Sequence, residues 1–436
     1  MIGRRGLSRE ESLPWLTLVL VRAMRRGAIL PAAVCAAVLL LASSAQASKV
    51  CDQMRGWLKQ GGGQASGLLV VAAESGEIVC ARAAGAQRPL ASNMKLFTTS
   101  TALSRLGPET RIPTKVFSDG RLDADGVLHG SLYLQGGGDP ALGTPTFYDG
   151  YLAGLGTNIF ALEPQIGAAG IHSITGRLYA DDTIFDRLRG VADSGYGTSS
   201  YIGPLSGLAF NSGFSGSTSS SGFSVDPAKL AASKLARSLR GAGVTLPSQV
   251  ALAATPAGAE RVAVVRSPSL DRIVNTTDVY SDNFFAETLI KLLGARFGGA
   301  GSTAAGASVV ARFARQHGSG VHAVDGSGLT RSGRASPSQV VGLLQSMRST
   351  AVGDDFIRDL ALAGREGTVA SRMHGTPADG RCRTKTGTLT GVSNLSGYCF
   401  NRDGKTMVFS VLMAGVRDLG LAHAEQDRIA GAVAGY

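Results

Sequence analysis

The sequence predicts a multi-domain α+β fold: an antiparallel sheet flanked by helices, with an inserted mostly-β region. Three observations carry this. Two strand patterns lie near the N-terminus. Helical patterns occupy the middle, and three strands and a helix close the chain, so one sheet draws its outer strands from both ends. Between about 116 and 265 the character changes to short strands and glycine-rich turns. With 436 residues, 44% of them apolar, the chain exceeds one ordinary domain. The expected division is a targeting segment over 1–47, a discontinuous main domain over 48–115 and 266–436, and an insertion over 116–265.

The elements follow in order. Arg22, Arg25 and Arg26 precede an apolar run from Ala28 to Ala42, and Ala45-Gln46-Ala47 offers small residues for cleavage, the layout of a secretory signal. The run falls short of the roughly 18 to 20 residues that span a bilayer. No permanent membrane anchor is expected, and the chain is expected in the periplasm or cell envelope. Gly67–Ala73 reads as a buried strand that Glu74–Glu77 turns into a second strand through Ile78, Val79 and Cys80. After Pro89 comes a helical pattern with Met94, Phe97, Leu103 and Leu106, stopped by Gly107-Pro108. Within the insertion, Leu132–Leu134 is a short strand and Asn211–Gly222 a long Ser/Gly/Thr/Phe loop. Helices are expected at Phe284–Phe297, Pro337–Met347 and His423–Ala434. Strands are expected at Arg383–Leu389, Leu395–Phe400 and Met407–Met413.

Removing residues 1–47 takes six arginines and two glutamates from the 43 basic and 32 acidic residues, leaving 37 and 30 and a net charge of +7. No Lys/Arg block interleaved with aromatics is present, so nucleic acid is not an expected partner. The six histidines are scattered, without metal-ligand spacing to cysteine, and neither a metal nor another cofactor is expected. Four cysteines remain after cleavage, an even number in an exported chain, which points to disulfides. A hairpin turning between Thr390 and Gly391 would set Cys382 opposite Cys399. Cys51–Cys80 follows by elimination.

Three short motifs carry chemistry. In Ser92-Asn93-Met94-Lys95, at a helix start, positions i and i+3 share a face, so a hydroxyl and an amine can share a site. Serine is a weak nucleophile at neutral pH, and a lysine of lowered pKa can take its proton. A capping serine would prefer Glu or Gln three residues on, where this chain has Lys95. Ser281-Asp282-Asn283 precedes a helix; Ser281 could relay a proton and Asn283 could hold a substrate amide, although such residues also cap helices. In Lys385-Thr386-Gly387-Thr388, Lys385 and Gly387 share one side of a strand. There Lys385 could hold a carboxylate, Gly387 could admit a substrate backbone, and the Thr388 N–H could face an oxyanion.

Each motif occurs once, in this order and in the contexts of helix start, pre-helix loop and strand. The set resembles that of penicillin-binding proteins and class A β-lactamases. Pro89–Leu96, Ser281–Glu287, Asp325-Gly326-Ser327-Gly328-Leu329 and Gly137-Gly138-Asp139-Pro140 narrow the resemblance. They are similar to the D-alanyl-D-alanine carboxypeptidase/endopeptidases, the class C low-molecular-weight penicillin-binding proteins, over nearly the whole chain from about residue 50. The resemblance implies a penicillin-binding, β-lactamase-like transpeptidase domain with inserted mostly-β domains, which suits the 189 residues between Ser92 and Ser281. It also implies attack by Ser92 on the penultimate D-alanine of peptidoglycan stem peptides, with Lys95 as base and Ser281 as proton relay. Asn283, Lys385, Thr386, Gly387 and Thr388 would bind substrate, and β-lactam antibiotics would be covalent inhibitors. The alternatives are a serine β-lactamase and a non-catalytic wall-binding homologue. No glutamate occurs between Glu287 and Glu366, so the deacylating base of class A β-lactamases has no counterpart. All three motifs are intact, which a decayed site would not need.

Overall fold

The computed structural model describes residues 48–436, so the targeting segment expected over 1–47 lies outside the described residues. The chain divides into two compact units, 1–53 and 54–436. In the first, residues 48–53 are helical; in the second, residues 54–62 are helical and precede the strands.

Strand β1 (Gly67–Ala72) turns into β2 (Ile78–Arg82), and helix α1 (Met94–Leu106) follows a 3-10 turn at Ala91–Asn93. Strands β3 (Pro113–Ser118), β4 (Leu132–Gln135), β5 (Leu178–Asp181), β6 (Ala251–Leu252) and β7 (Glu260–Arg266) form a mixed sheet of order β6-β5-β4-β3-β7. Its pairs with β5 are parallel and the others antiparallel. Its apolar face is covered by helix α2 (Pro227–Gly241), whose Ala228, Ala231, Ala232, Leu235, Ala236 and Leu239 are buried at helical spacing. This helix lay unrecognised in the mostly-β reading. Its buried stripe is largely alanine, too weak in hydrophobicity to stand out, although Asp226 caps it and Pro227 opens it. The expected loop Asn211–Gly222 carries only 3-10 turns, tied by the stacked rings of Phe214 and Phe223.

Helices α3 (Leu270–Val279), α4 (Asn283–Phe297), α5 (Thr303–Gln316) and α6 (Pro337–Arg348) follow. Then come β8 (Ala361–Leu362), β9 (Cys382–Leu389), β10 (Val392–Phe400), β11 (Thr406–Ala414) and α7 (Leu419–Gly435). The six-stranded sheet runs β8-β9-β10-β11-β1-β2 and is antiparallel throughout, with both chain ends contributing strands. Helices cover both faces. Tyr398 on β10 donates to the Leu344 carbonyl of α6 (2.6 Å), whereas Ser393, of opposite parity, accepts from Gln426 of α7 (3.1 Å). That double cover is why β10 and β11 are buried along nearly their whole length rather than at alternate residues. Cys382 and Cys399 face each other in the β9–β10 register and are bonded. Among the described residues no helix is long and apolar enough to cross a membrane.

Candidate active site

Four pieces of chain meet at one end of the six-stranded sheet: the turn into α1, the loop into α4, the Asp325–Leu329 loop and the edge of β9. They border a cleft of about 520 Å³ lined by Ser92, Ser281, Asn283, Gly328, Leu329 and Thr368, by 386–390, and by Tyr201.

Ser92 lies in the 3-10 turn and makes no side-chain cap, so its hydroxyl is free of the structural role that serine often plays at a helix start. Ala91 before it has φ +44° and Ser281 has φ +61°, both in the left-handed region that non-glycine residues avoid. Such backbone persists only where the surroundings enforce it, and it gathers at functional sites. Asn93 supplies part of that enforcement. Buried, it donates to the Lys385 carbonyl (3.0 Å) and accepts from the Ser396 hydroxyl (2.7 Å). Asn394 of β10 donates to the carbonyls of Pro89 and Leu90 (3.0 and 2.8 Å). The turn bearing the serine is thus bolted to the sheet from both sides of Ser92.

Lys95 is fully buried beneath Ser92. Its Nζ lies 3.0 Å from Ser92 Oγ, 2.7 Å from Asn283 Oδ1 and 3.0 Å from the Ser327 carbonyl oxygen. The last two can only accept. A charged Lys95 donates to all three, and a neutral one donates to the two acceptors and takes the Ser92 proton as its third bond. Losing the ammonium proton therefore reverses one hydrogen bond and breaks none. Burial pushes Lys95 down to about 8, against the pull of Asp282, Glu287, Asp278 and Asp325. Lys385, also fully buried, is lowered by burial and then by Lys95, with Asp278 acting the other way.

In the second motif, Asp282 is the helix cap, accepting from the Phe285 N–H (2.9 Å), while Asn283 points into the site. Asn283 Nδ2 donates to the Tyr201 carbonyl (3.1 Å), so both ends of this amide are engaged. Ser281 lines the cleft, and the hydrogen bonds of the two lysine ammoniums go elsewhere. In the third motif, β8 pairs only with Arg383 and Thr384, so the edge of β9 beyond them is open. The Cys382 carbonyl bonds toward β8, and by alternation the N–H and C=O groups of Thr386 and Thr388 point to that open edge. Thr386 Oγ1 bonds Thr368 (2.9 Å). A Cβ on Gly387 would lie 2.9 Å from the Leu90 carbonyl oxygen and 3.1 Å from the Ser92 nitrogen. The missing side chain thus makes room for the serine turn.

The loop 325–328 is held from beneath by Glu287. Glu287 Oε1 accepts from the N–H groups of Gly326 and Ser327 (2.9 and 2.7 Å), which aims the Ser327 carbonyl at Lys95. Burial, and then the nearby Asp325, push Glu287 up to about 8, so it is protonated at neutral pH. Its folded pKa lies above the ordinary glutamate value of 4.5, so the stability its proton contributes is full below that value and is lost as pH rises to and through about 8. Glu287→Gln keeps the acceptor and cannot ionise, so it is expected to match wild-type stability at pH 4, within about 1 kcal/mol, and to exceed it at pH 9. Glu287→Ala leaves two buried donors unpaired and is expected to cost about 2 to 6 kcal/mol. Denaturant unfolding at the two pH values reads both.

A family model of the D-Ala-D-Ala carboxypeptidase 3 (S13) family matches residues 52–218 and 215–434. The chain belongs to this family. S13 is a serine peptidase family, and the chain is a class C low-molecular-weight penicillin-binding protein. Over 434 residues, 81% of this chain and 78% of the relative, it is 30% identical to a D-alanyl-D-alanine carboxypeptidase of Actinomadura sp. (strain R39). Among solved structures it is similar to penicillin binding protein 4 of Haemophilus influenzae, also solved complexed with a β-lactam. That likeness has TM-score 0.71 and 20% identity and covers 87% of this chain and 99% of the other. It is also similar to a predatory peptidoglycan endopeptidase of Bdellovibrio bacteriovorus, with TM-score 0.51, 19% identity and coverage of 83% and 90%. These structural likenesses establish a shared fold for the S13 chain.

Sequence reasoning on this S13 chain passed over Asn93, Asn394, Thr368 and Asp278. The available signal was polarity where a buried pattern expects none, as at Asn394 within a strand of buried residues.

Proposed function

We propose that this S13 chain is a serine D-Ala-D-Ala carboxypeptidase and endopeptidase of peptidoglycan stem peptides, working through an acyl-enzyme on Ser92. The observation that carries the reading is the 3.0 Å contact of Lys95 Nζ with Ser92 Oγ, in a buried site that lowers the lysine's pKa. Neutral Lys95 takes the Ser92 proton as Oγ adds to the carbonyl of the penultimate D-alanine. The N–H groups of Ser92 and Thr388 receive the oxyanion, a role worth about 3 to 4 kcal/mol in comparable sites. Ser281 passes a proton to the departing amine, and the C–N bond breaks to leave an ester on Ser92. Asn283 orients the peptide, Lys385 with Thr386 receives the terminal carboxylate, and Gly387 lets the nucleophile sit against the strand. Water then cleaves the ester. A cross-link, whose leaving group is the amine of a neighbouring stem, follows the same steps. The named activity of the Bdellovibrio neighbour supports this extension, and the β-lactam complex of the Haemophilus neighbour supports β-lactam binding.

No carboxylate lines the cleft among the described residues, which favours a persistent penicilloyl adduct over turnover. Work on wall peptides requires export, and the N-terminal segment is the proposed signal for it.

The test is fluorescent penicillin labelling of the chain from residue 48 beside Ser92→Ala, with D-alanine release from a stem pentapeptide. Wild type is expected to label stably and release D-alanine, and the variant to do neither. Consumption of the antibiotic without label would shift the reading to β-lactamase. Intact antibiotic and intact peptide would end the catalytic assignment.

A further inference from the structure

A second cavity, of about 210 Å³, adjoins the catalytic cleft. It shares Tyr201, Ser281 and Asn283 with the cleft and adds the rings of Tyr151, Phe214, Phe223 and Tyr280. The two meet where the Tyr201 carbonyl accepts from Asn283 Nδ2 (3.1 Å). Three tyrosines of this lining are exposed, Tyr151 at 47%, Tyr201 at 72% and Tyr280 at 58%. Tyr151, at the end of the short helix Pro145–Tyr151, is braced rather than loose. Its ring stacks on Phe147 (5.0 Å between centroids) and meets Phe214 edge-on (5.7 Å), and Phe214 stacks on Phe223 (4.6 Å). Tyr280 follows α3 directly and precedes Ser281. Several exposed rings gathered in one concave place beside a catalytic serine mark a contact surface for a ligand.

The chemistry of the lining says what fits. Its carboxylate, Asp282, is occupied as the cap of α4, accepting from the Phe285 N–H (2.9 Å). Among the described residues no lysine, arginine or histidine lines it. A charged end group would find no counter-charge there, whereas methylene groups would lie against the rings. The position of the cavity follows from Ser281, the residue that passes a proton to the departing amine in the reaction proposed above. The leaving group therefore stands at Ser281, which both cavities share. A departing D-alanine goes no further, because it ends at its own carboxylate, which Lys385 and Thr386 receive. In a cross-link the departing amine is carried on the aliphatic side chain of a neighbouring stem peptide, and that arm continues past Ser281.

We propose that the cavity lined by Tyr151, Tyr201 and Tyr280 is a leaving-strand subsite. It takes the aliphatic arm of the neighbouring stem peptide, and so gives cross-links a binding contact that terminal D-alanine does not receive. This rests on the function proposed above, and its test separates the two.

Tyr151→Ala and Tyr280→Ala would be assayed on a soluble dimer of two stem peptides joined by a D-alanyl cross-link, and on a monomeric stem pentapeptide. In each variant kcat/KM for cutting the dimer is expected to fall about tenfold or more. D-Alanine release from the pentapeptide and labelling by fluorescent penicillin are expected to change by less than about twofold, which also reports that the site is folded. Tyr151→Phe keeps the ring and is expected to stay within about twofold of wild type on both peptides. Ser281 serves both reactions, so rings that merely held Ser281 in place would lower both alike. Equal losses on the two peptides, or none on either, would overturn the subsite and leave the acyl-enzyme reading standing. A Tyr151→Phe variant as poor on the dimer as Tyr151→Ala would overturn the apolar contact. A wild type that releases D-alanine but leaves the dimer uncut would also end the proposal. A wild type that neither takes the penicillin label nor releases D-alanine would overturn the acyl-enzyme reading itself.

Discussion

The Lys95→Arg variant is expected to be acylated by benzylpenicillin about a hundredfold to ten-thousandfold more slowly than wild type throughout pH 6 to 9. Arginine keeps the positive charge and can reach the same acceptors, but it cannot shed a proton in this range. If Lys95 contributed only its charge, the variant would retain most of its activity. If it is the base, its proton has to leave before Ser92 can attack. Burial lowers that proton's pKa to about 8, so wild-type acylation should rise with pH through that value. Below it the rate should fall about tenfold per pH unit, because the neutral fraction does. The variant should lie on a flat line far beneath. Lys95→Met, which removes base and charge together, controls for the bulk of the guanidinium. Rapid labelling by Lys95→Arg, or a wild-type rate independent of pH between 6 and 8, would remove Lys95 from the role of base.

Gly328→Ala should be nearly as damaging although it touches no ionisable group. Gly328 has φ +83°, and a Cβ there would sit 1.8 Å from the Ala91 carbonyl oxygen and 2.3 Å from its carbon. The obstacle is backbone, which no rotamer change relieves. That backbone is the strained residue immediately before Ser92. Conformational strain of about 1 to 3 kcal/mol adds to an overlap penalty of similar size. The expected loss of stability is therefore about 2 to 6 kcal/mol, read by denaturant unfolding, with penicillin labelling falling by more than the stability loss explains. Labelling at the wild-type rate in a folded Gly328→Ala protein would show that the Ser327–Gly328 contact does not set the position of the serine.

Much of the fold is legible in the sequence because burial on one or both faces leaves a period. Alternation and apolar runs mark β1, β2 and the three C-terminal strands, and the 3.6-residue period marks α1, α4 and α6. Helices α2, α3 and α5 escaped because their buried faces mix alanine, glycine, threonine and aspartate with the larger apolar residues. Those faces pack by close approach rather than by large hydrophobic area, and a hydrophobic period records area.

The chemistry divides along the same line. Ser92 with Lys95, Ser281 with Asn283, and Lys385 with Gly387 are contiguous in sequence, and local geometry alone puts each pair on one face. Their order, contexts and family resemblance were therefore available without coordinates. The sequence could not show that Lys95 spends its remaining bonds on Asn283 and on the carbonyl of Ser327, 188 and 232 residues away. Nor could it show that a Cβ at Gly387 would press on the serine turn. Each of those facts depends on which backbone lies against which, and on how completely water is excluded. Desolvation lowers the pKa of both Lys95 and Lys385, and it arises only once distant segments have packed around them.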